Sequence, residues 1–437
     1  MRSWLIRNAV VLTQNARRQV LHGDVRVRAG RIFEIGMDLK AQGERELDAA
    51  GRWLIPGLVQ CHVHLTQTLF RGLADDRELL PWLRDRIWPL EAAHSEATNA
   101  ASAALGIAEL LLSGTTTILD MGTTHHHDVV FATAERMGIG YVGGKAMMDQ
   151  GDGVPLGLIE STRQSLDESD ALRERWHLRD EGRLRYAYAP RFILSCSDEL
   201  LHGVAERSAK HECLIHTHAN ENRGELEAVQ ALAGEPNLAA LRTRGCLNER
   251  SVIAHSVWVE GSEEEALVSS GAAVCHCPGS NLKLASGVMP LMRLLGRGVR
   301  VGLGADGAPC NKTLDQFVEM RLAALVHRLA SGPAALSAQT VFDLATIGGA
   351  AALRLEQEIG SIEVGKRADL VLLEPGLAAT PCEDQIAALV FAAHGGWVRD
   401  VWVAGQHVVA EAELQTADVA EIRRAASSAR AVVRRVL

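Results

Sequence analysis

The chain has 437 residues, 47% of them hydrophobic and 23% charged, enough apolar material for a large soluble core and a fit to one α/β barrel with an accessory domain. A net charge of −9 leaves no basic surface to neutralise phosphates and so excludes nucleic acid as a partner, and no apolar run reaches the ~18 residues that cross a bilayer. The eight cysteines are scattered, with no small-domain disulfide framework, and Met1-Arg2-Ser3-Trp4 opens no long apolar secretory signal, so a reduced, cytoplasmic setting is expected.

Residues 1–56 read as short strands and turns. Residues 4–12 are apolar, Asp24-Val25-Arg26-Val27-Arg28 alternates, Ala29-Gly30-Arg31 makes a turn, and Ile32-Phe33-Glu34-Ile35 alternates again. Pro56-Gly57 then leads into the apolar run Leu58-Val59-Gln60-Cys61-His62-Val63-His64. Side chains alternate faces along a strand, so His62 and His64 share one face and could reach one metal ion.

From here strands alternate with helical patterns. Strands are expected at 59–64, 116–121, 141–147, 185–191, 214–219, 252–257, 273–277 and 301–306, and helices at 100–112, 224–233, 263–269 and 314–329. Eight such strands within residues 57–358 predict a closed (β/α)₈ TIM barrel. Residues 359–437 return to strand and turn at 360–373 and 398–409, with Ala404-Gly405-Gln406 as a hairpin turn and a terminal helix over 417–437. The segments 1–56 and 359–437 should pair into one small β-sandwich.

In such barrels the chemistry sits at the C-terminal ends of the strands. Strand one ends in His62 and His64, strand five in His216-Thr217-His218-Ala219-Asn220-Glu221, strand six carries His255, and strand eight ends in Asp306. Three imidazoles and a carboxylate aimed at one mouth suit Zn²⁺ or Fe²⁺. His216 lies one pleat deeper than His218 and reads as structural. His125-His126-His127 reads as a solvated loop, and Cys275-His276-Cys277 lacks the Cys-x-x-Cys spacing of a zinc site.

These motifs resemble the amidohydrolase superfamily, in its branch of aminopurine, guanine and triazine hydrolases. The matching stretches are Pro-Gly-Leu-Val-Gln-Cys-His-Val-His (56–64), His-Thr-His-Ala-Asn-Glu-Asn-Arg-Gly (216–224), His255, Gly-Ala-Asp-Gly (304–307) and Gly-Lys-Arg-Ala-Asp-Leu (365–370). The resemblance implies a distorted (β/α)₈ TIM barrel flanked by a composite β-sandwich, and one divalent metal, zinc or iron, held by His62, His64, His218 and Asp306. His255 and Glu221 would contact the attacking water and the substrate. Lys145, on strand three, does not stand where binuclear relatives carry a carboxylated lysine and reads as non-bridging. Asp306 would accept the water's proton, and Glu221 would protonate a ring nitrogen and then the leaving amine. A homo-oligomer acting on a small amino-heterocycle, with no membrane partner, is expected.

The ring is read from three side chains. Gln67 can pair with an amide-like edge, and Arg191 offers planar donors to a ring nitrogen, as a Gln and an Arg do in guanine deaminases. Arg71 to Glu91, with Trp82-Leu83 and Trp88-Pro89-Leu90-Glu91, resembles deaminases of S-adenosylhomocysteine, methylthioadenosine and 5′-deoxyadenosine, in which the glutamate matching Glu91 binds ribose hydroxyls. Several of those enzymes carry a histidine where this chain has Arg191. The expected substrate is a 5′-modified adenosine. Guanine or another aminopurine or pterin is the second reading, and a triazine amine or chloride the third. A non-enzymatic assembly role is disfavoured because all four ligands and Glu221 are present.

Overall fold

The computed structural model describes residues 3–437. Eight parallel strands run in chain order: β1 (Leu58–Val63), β2 (Thr115–Met121), β3 (Gly140–Gly144), β4 (Leu184–Pro190), β5 (Leu214–Ala219), β6 (Ser251–His255), β7 (Ala273–His276) and β8 (Arg300–Leu303). A parallel bridge between Val63 and Asp306 brings the segment after β8 back to β1 and closes the barrel. The short strand Ala146–Met147 prolongs β3 against the end of β4. Each strand is covered on both faces, which explains runs such as Leu58-Val59-Gln60-Cys61-His62-Val63 that are buried without alternation. Gly302 allows β8 to approach β1: a Cβ there would stand 2.3 Å from the Cys61 sulfur.

The expected barrel is present, and the shifts at element ends have local causes. The strand expected at 252–257 stops at His255 because His255 and Ser256 adopt φ of 72° and 47°. Strand β7 ends at His276 because Pro278 opens the helix Pro278–Lys283. The helix expected from 314 begins at Gln316, since the Asp315 side chain accepts from the Phe317 N–H and acts as its N-cap.

The chain ends build a second sheet of nine strands, in which Trp53–Pro56 pairs antiparallel with Leu370–Leu373. The sheet curls on itself. Trp4 and Trp402 lie on strands separated by two others, yet their rings meet at 5.8 Å over a core that includes Ile6, Val25, Val27, Leu54 and Leu372. The expected sandwich is therefore one continuous sheet folded over. The terminal helix spans Val419–Val433 and packs on Glu96–Leu112. Among the described residues, no helix is long and apolar enough to cross a membrane.

One buried ion pair ties the curled sheet to the barrel. The Arg367 guanidinium donates to Asp369 Oδ2 at 2.6 Å and to Thr117 Oγ1 on β2 at 3.1 Å, while Asp369 Oδ1 accepts from the Ala404 N–H at 2.7 Å. Removing one partner of a buried pair strands the other charge. Asp369→Ala should therefore cost about 3–5 kcal/mol in urea unfolding; a loss below about 1 kcal/mol would mean that this pair carries no structural role.

Candidate active site and metal centre

The strand ends bring five histidines and one aspartate into contact. His64 Nδ1 donates to the Met121 carbonyl at 2.8 Å, and His218 Nδ1 donates to the Arg191 carbonyl at 2.8 Å. A neutral imidazole that donates through Nδ1 presents a bare lone pair at Nε2. The two Nε2 atoms face each other at 3.3 Å. Asp306 Oδ1 lies 3.2 Å from His62 Nε2 and 3.4 Å from His64 Nε2. His62 Nε2 is itself buried without a hydrogen-bond partner. Burial, reinforced by neighbouring imidazoles, lowers His64 to about 3 and holds His218 well below the usual histidine range. Burial opposes ionisation of Asp306, but the adjoining imidazoles of His62, His255 and His64 outweigh it and keep the carboxylate charged. Converging lone pairs with a carboxylate among them and no proton to share form a donor set for a cation, and nitrogen with oxygen suits a divalent transition metal.

Two further layers hold these donors. His216 Nε2 meets His62 Nδ1 at 2.9 Å, so the deeper histidine orients the outer one, as expected of a structural residue. Asp120, at the end of β2, accepts the Leu65 N–H at 2.8 Å and the Tyr141 hydroxyl at 2.6 Å, and that hydroxyl also meets His127 Nε2 at 3.0 Å. His127 is thus buried structure, not part of a solvated loop. It lies one residue beyond the exposed His126, where the chain turns in to open the helix Asp128–Met137.

Beyond the donors lies a pocket at the mouth of the barrel. Its walls include Gln67, Arg191, Glu221, His255 and Asp306, with Leu79, Trp82, Leu83 and Phe192 as an apolar roof. Burial pushes the Glu221 carboxyl up to about 7. Its Oε2 stands 3.4 Å from His255 Nε2, and burial lowers the His255 imidazole less than the Glu221 and Asp306 charges raise it. Glu91 stands behind the wall, accepting from Gln67 Nε2 at 2.9 Å and from Arg191 Nη1 at 2.6 Å. Two of these residues sit at sharp bends: His255 and Asp306 have φ of 72° and 62°, which turn their strand ends into the mouth.

Other candidates lie elsewhere. Lys145 is bonded to Glu160 and, at 2.8 Å, to Glu168, and this ion pair fills the small cluster those carboxylates form with His125. His276 packs against His327, with Nε2 atoms 3.2 Å apart, and Cys275 and Cys277 face one another at 3.8 Å. Sequence reasoning missed Asp120, Ser280 and Asn281. Only the last two left a signal, as a polar pair just after the one late strand that supplies no donor.

The model of the amidohydrolase family matches residues 53–408. The chain belongs to the amidohydrolase family. It is 37% identical over 417 residues to a 5′-deoxyadenosine deaminase of Methanothermobacter thermautotrophicus, covering 94% of this chain and 95% of that one. It is 36% identical over 418 residues to a 5-methylthioadenosine/S-adenosylhomocysteine deaminase of Thermococcus onnurineus, covering 94% and 95%. Among solved structures, an adenosine deaminase from Xanthomonas campestris with bound zinc superposes with a TM-score of 0.92 at 32% identity, covering 99% of this chain and 98% of that one. This amidohydrolase accordingly carries a divalent-metal site at the mouth of its barrel, with the His62, His64 and Asp306 donors close enough to share one ion.

Burial lifts the Asp120 carboxyl from its ordinary 3.8 to about 7. A carboxyl that binds its proton more tightly when folded stabilises the fold below its unfolded value and loses that contribution as pH rises through the folded one. In metal-free protein, Asp120→Asn keeps an acceptor for Leu65 and should flatten the decline in urea midpoint between pH 4 and pH 7. An unchanged slope would remove Asp120 from that titration.

Proposed function

We propose that this amidohydrolase hydrolytically removes ammonia from a 5′-modified adenosine such as 5′-deoxyadenosine, methylthioadenosine or S-adenosylhomocysteine. The observation that carries this reading is the placement of Glu221, with its raised pKa, beside His255 and Asp306 on the wall of a buried chamber with an apolar roof. The relatives named above, which carry those substrates in their names, support the choice of ring.

His62, His64, His218 and Asp306 would hold the metal, zinc before iron. A bound divalent ion would supply Lewis-acid activation of the attacking water. The residues of the chain do the rest. Asp306 takes the water's proton, and the His255 imidazole orients the oxygen toward the ring. Glu221, still protonated near neutral pH, delivers its proton to the ring nitrogen beside the reacting carbon, then ferries the proton released by the water to the amine. The carbon–oxygen bond forms, the carbon–nitrogen bond breaks, and ammonia leaves. Leu79, Trp82, Leu83 and Phe192 cover the flat ring and exclude bulk water.

In this reading Gln67 and Arg191 contact the purine edge and Glu91 receives the ribose hydroxyls. A second reading, a free aminopurine such as guanine, is favoured by one observation: Gln67 and Arg191 are on the wall, while both oxygens of Glu91 are already engaged by them.

An ammonia-release screen of adenosine, its 5′-deoxy and 5′-thio derivatives, guanine, pterins and aminotriazines tests the assignment, with the 5′-modified adenosines expected fastest. Glu221→Gln should retain the metal and lose roughly 10²–10⁴-fold in kcat; turnover like that of the wild type would refute its role. Glu91→Ala should impair nucleosides far more than free bases. Equal loss on both would mean that Glu91 only props Gln67 and Arg191, and would favour the free-base reading.

A further inference from the structure

We infer that Asn281 is a positioning residue, which holds the His255 imidazole in one tautomer and one orientation. The helix Pro278–Lys283, just after β7, contributes no metal donor, yet Ser280 and Asn281 on it are almost wholly buried. A buried polar side chain is costly unless it is hydrogen-bonded. Ser280 spends its hydroxyl on the site and Asn281 its carbonyl oxygen, while Asn281 Nδ2 stands buried without a hydrogen-bond partner. Ser280 Oγ donates to Asp306 Oδ2 at 2.7 Å, and Asn281 Oδ1 accepts from His255 Nδ1 at 2.9 Å.

The support is itself anchored. Glu319 is fully buried, accepts the Gly279 N–H at 2.9 Å and the Asn311 side-chain amide at 2.7 Å, and Asn311 also donates to the Ala305 carbonyl at 2.8 Å. Gly279 permits this seating, because a Cβ there would lie 2.5 Å from Glu319 Oε1. The helix is thus locked to the same strand end that presents Asp306. Downstream, the Asn281 carbonyl accepts the Ser286 N–H at 2.8 Å, and the Ser286 hydroxyl reaches Glu221 Oε1 at 3.4 Å. One short segment therefore touches Asp306, His255 and Glu221, the three side chains to which the proposed reaction gives roles.

The consequence for His255 is specific. Donation through Nδ1 leaves Nε2 as the atom that faces Glu221 and the chamber. His255 sits at a strained φ of 72°, where an imidazole without a partner has no regular strand geometry to hold it.

The test pairs Asn281→Leu, which removes the acceptor, with Asn281→Asp, which keeps an oxygen in place. Asn281→Leu should lower kcat by about 10–100-fold, the usual range for partners of this kind, with KM unchanged. Asn281→Asp should recover most of that loss, a rescue that packing alone would not give. Ring-¹⁵N-histidine NMR of metal-free protein, at a pH above the titration of His255 where the ring is neutral, should show the Nδ1-protonated tautomer of His255 in wild type and Asn281→Asp, and its loss in Asn281→Leu. Should the leucine variant not fold, Asn281→Ala replaces it. Wild-type kcat in the variant that lacks the acceptor, no rescue by aspartate, or unchanged His255 ring signals would each overturn the proposal. The kinetic arm rests on the deaminase reading. If wild type releases no ammonia from any substrate in the screen, that reading fails, while the ring-nitrogen comparison still decides the role of Asn281.

Discussion

Everything at the mouth of the barrel depends on one electrostatic constraint: two bare imidazole nitrogens held 3.3 Å apart, with a carboxylate oxygen close by. Left alone, lone pairs at that distance repel. They stay together because each imidazole is fixed from behind by a carbonyl, Met121 for His64 and Arg191 for His218, and these carbonyls belong to neighbouring strand ends. The barrel thus converts backbone geometry into a fixed field of negative potential, and a divalent cation satisfies it.

The same residues serve more than one layer. The Arg191 carbonyl orients a metal donor, while its guanidinium balances Glu91 and faces the substrate chamber. Asp306 is held by Ser280 on one oxygen and meets the histidines with the other. Such sharing explains why the histidines, Asp306 and the polar side chains of the pocket wall form one connected network. Left-handed φ values at His255 and Asp306 turn these strand ends sharply and aim the side chains inward.

Much of this was legible in the amino-acid sequence, and for a physical reason. A strand fixes which residues share a face, so His62 with His64, and His216 with His218, declared their directions from spacing alone. Glycine and proline marked several turns, such as Pro56-Gly57 and Gly405, but not the ends set by Pro278 and the Asp315 cap. What stayed hidden depends on contacts between segments distant in sequence. Nothing local to Asp120 says that it will accept from Leu65 and Tyr141, and nothing local to His127 says that a turn will bury it while leaving His126 exposed. The engagement of Glu91 by both Gln67 and Arg191 is of the same kind, since it joins the helical turn after β1, a helix and a strand end.

The seam of the curled sheet has a consequence for synthesis. Strand Trp53–Pro56 precedes the barrel and its partner Leu370–Leu373 follows it, so the ribosome must emit nearly the entire barrel before the two can pair. Until then Trp53–Pro56 offers an open edge, of the sort that recruits other chains into aggregates. Pairing across so long a loop is also slow. The final stitch of this molecule is therefore made after translation of the catalytic barrel, and the Arg367–Asp369 pair, which belongs to the late half, is the latch that closes on it.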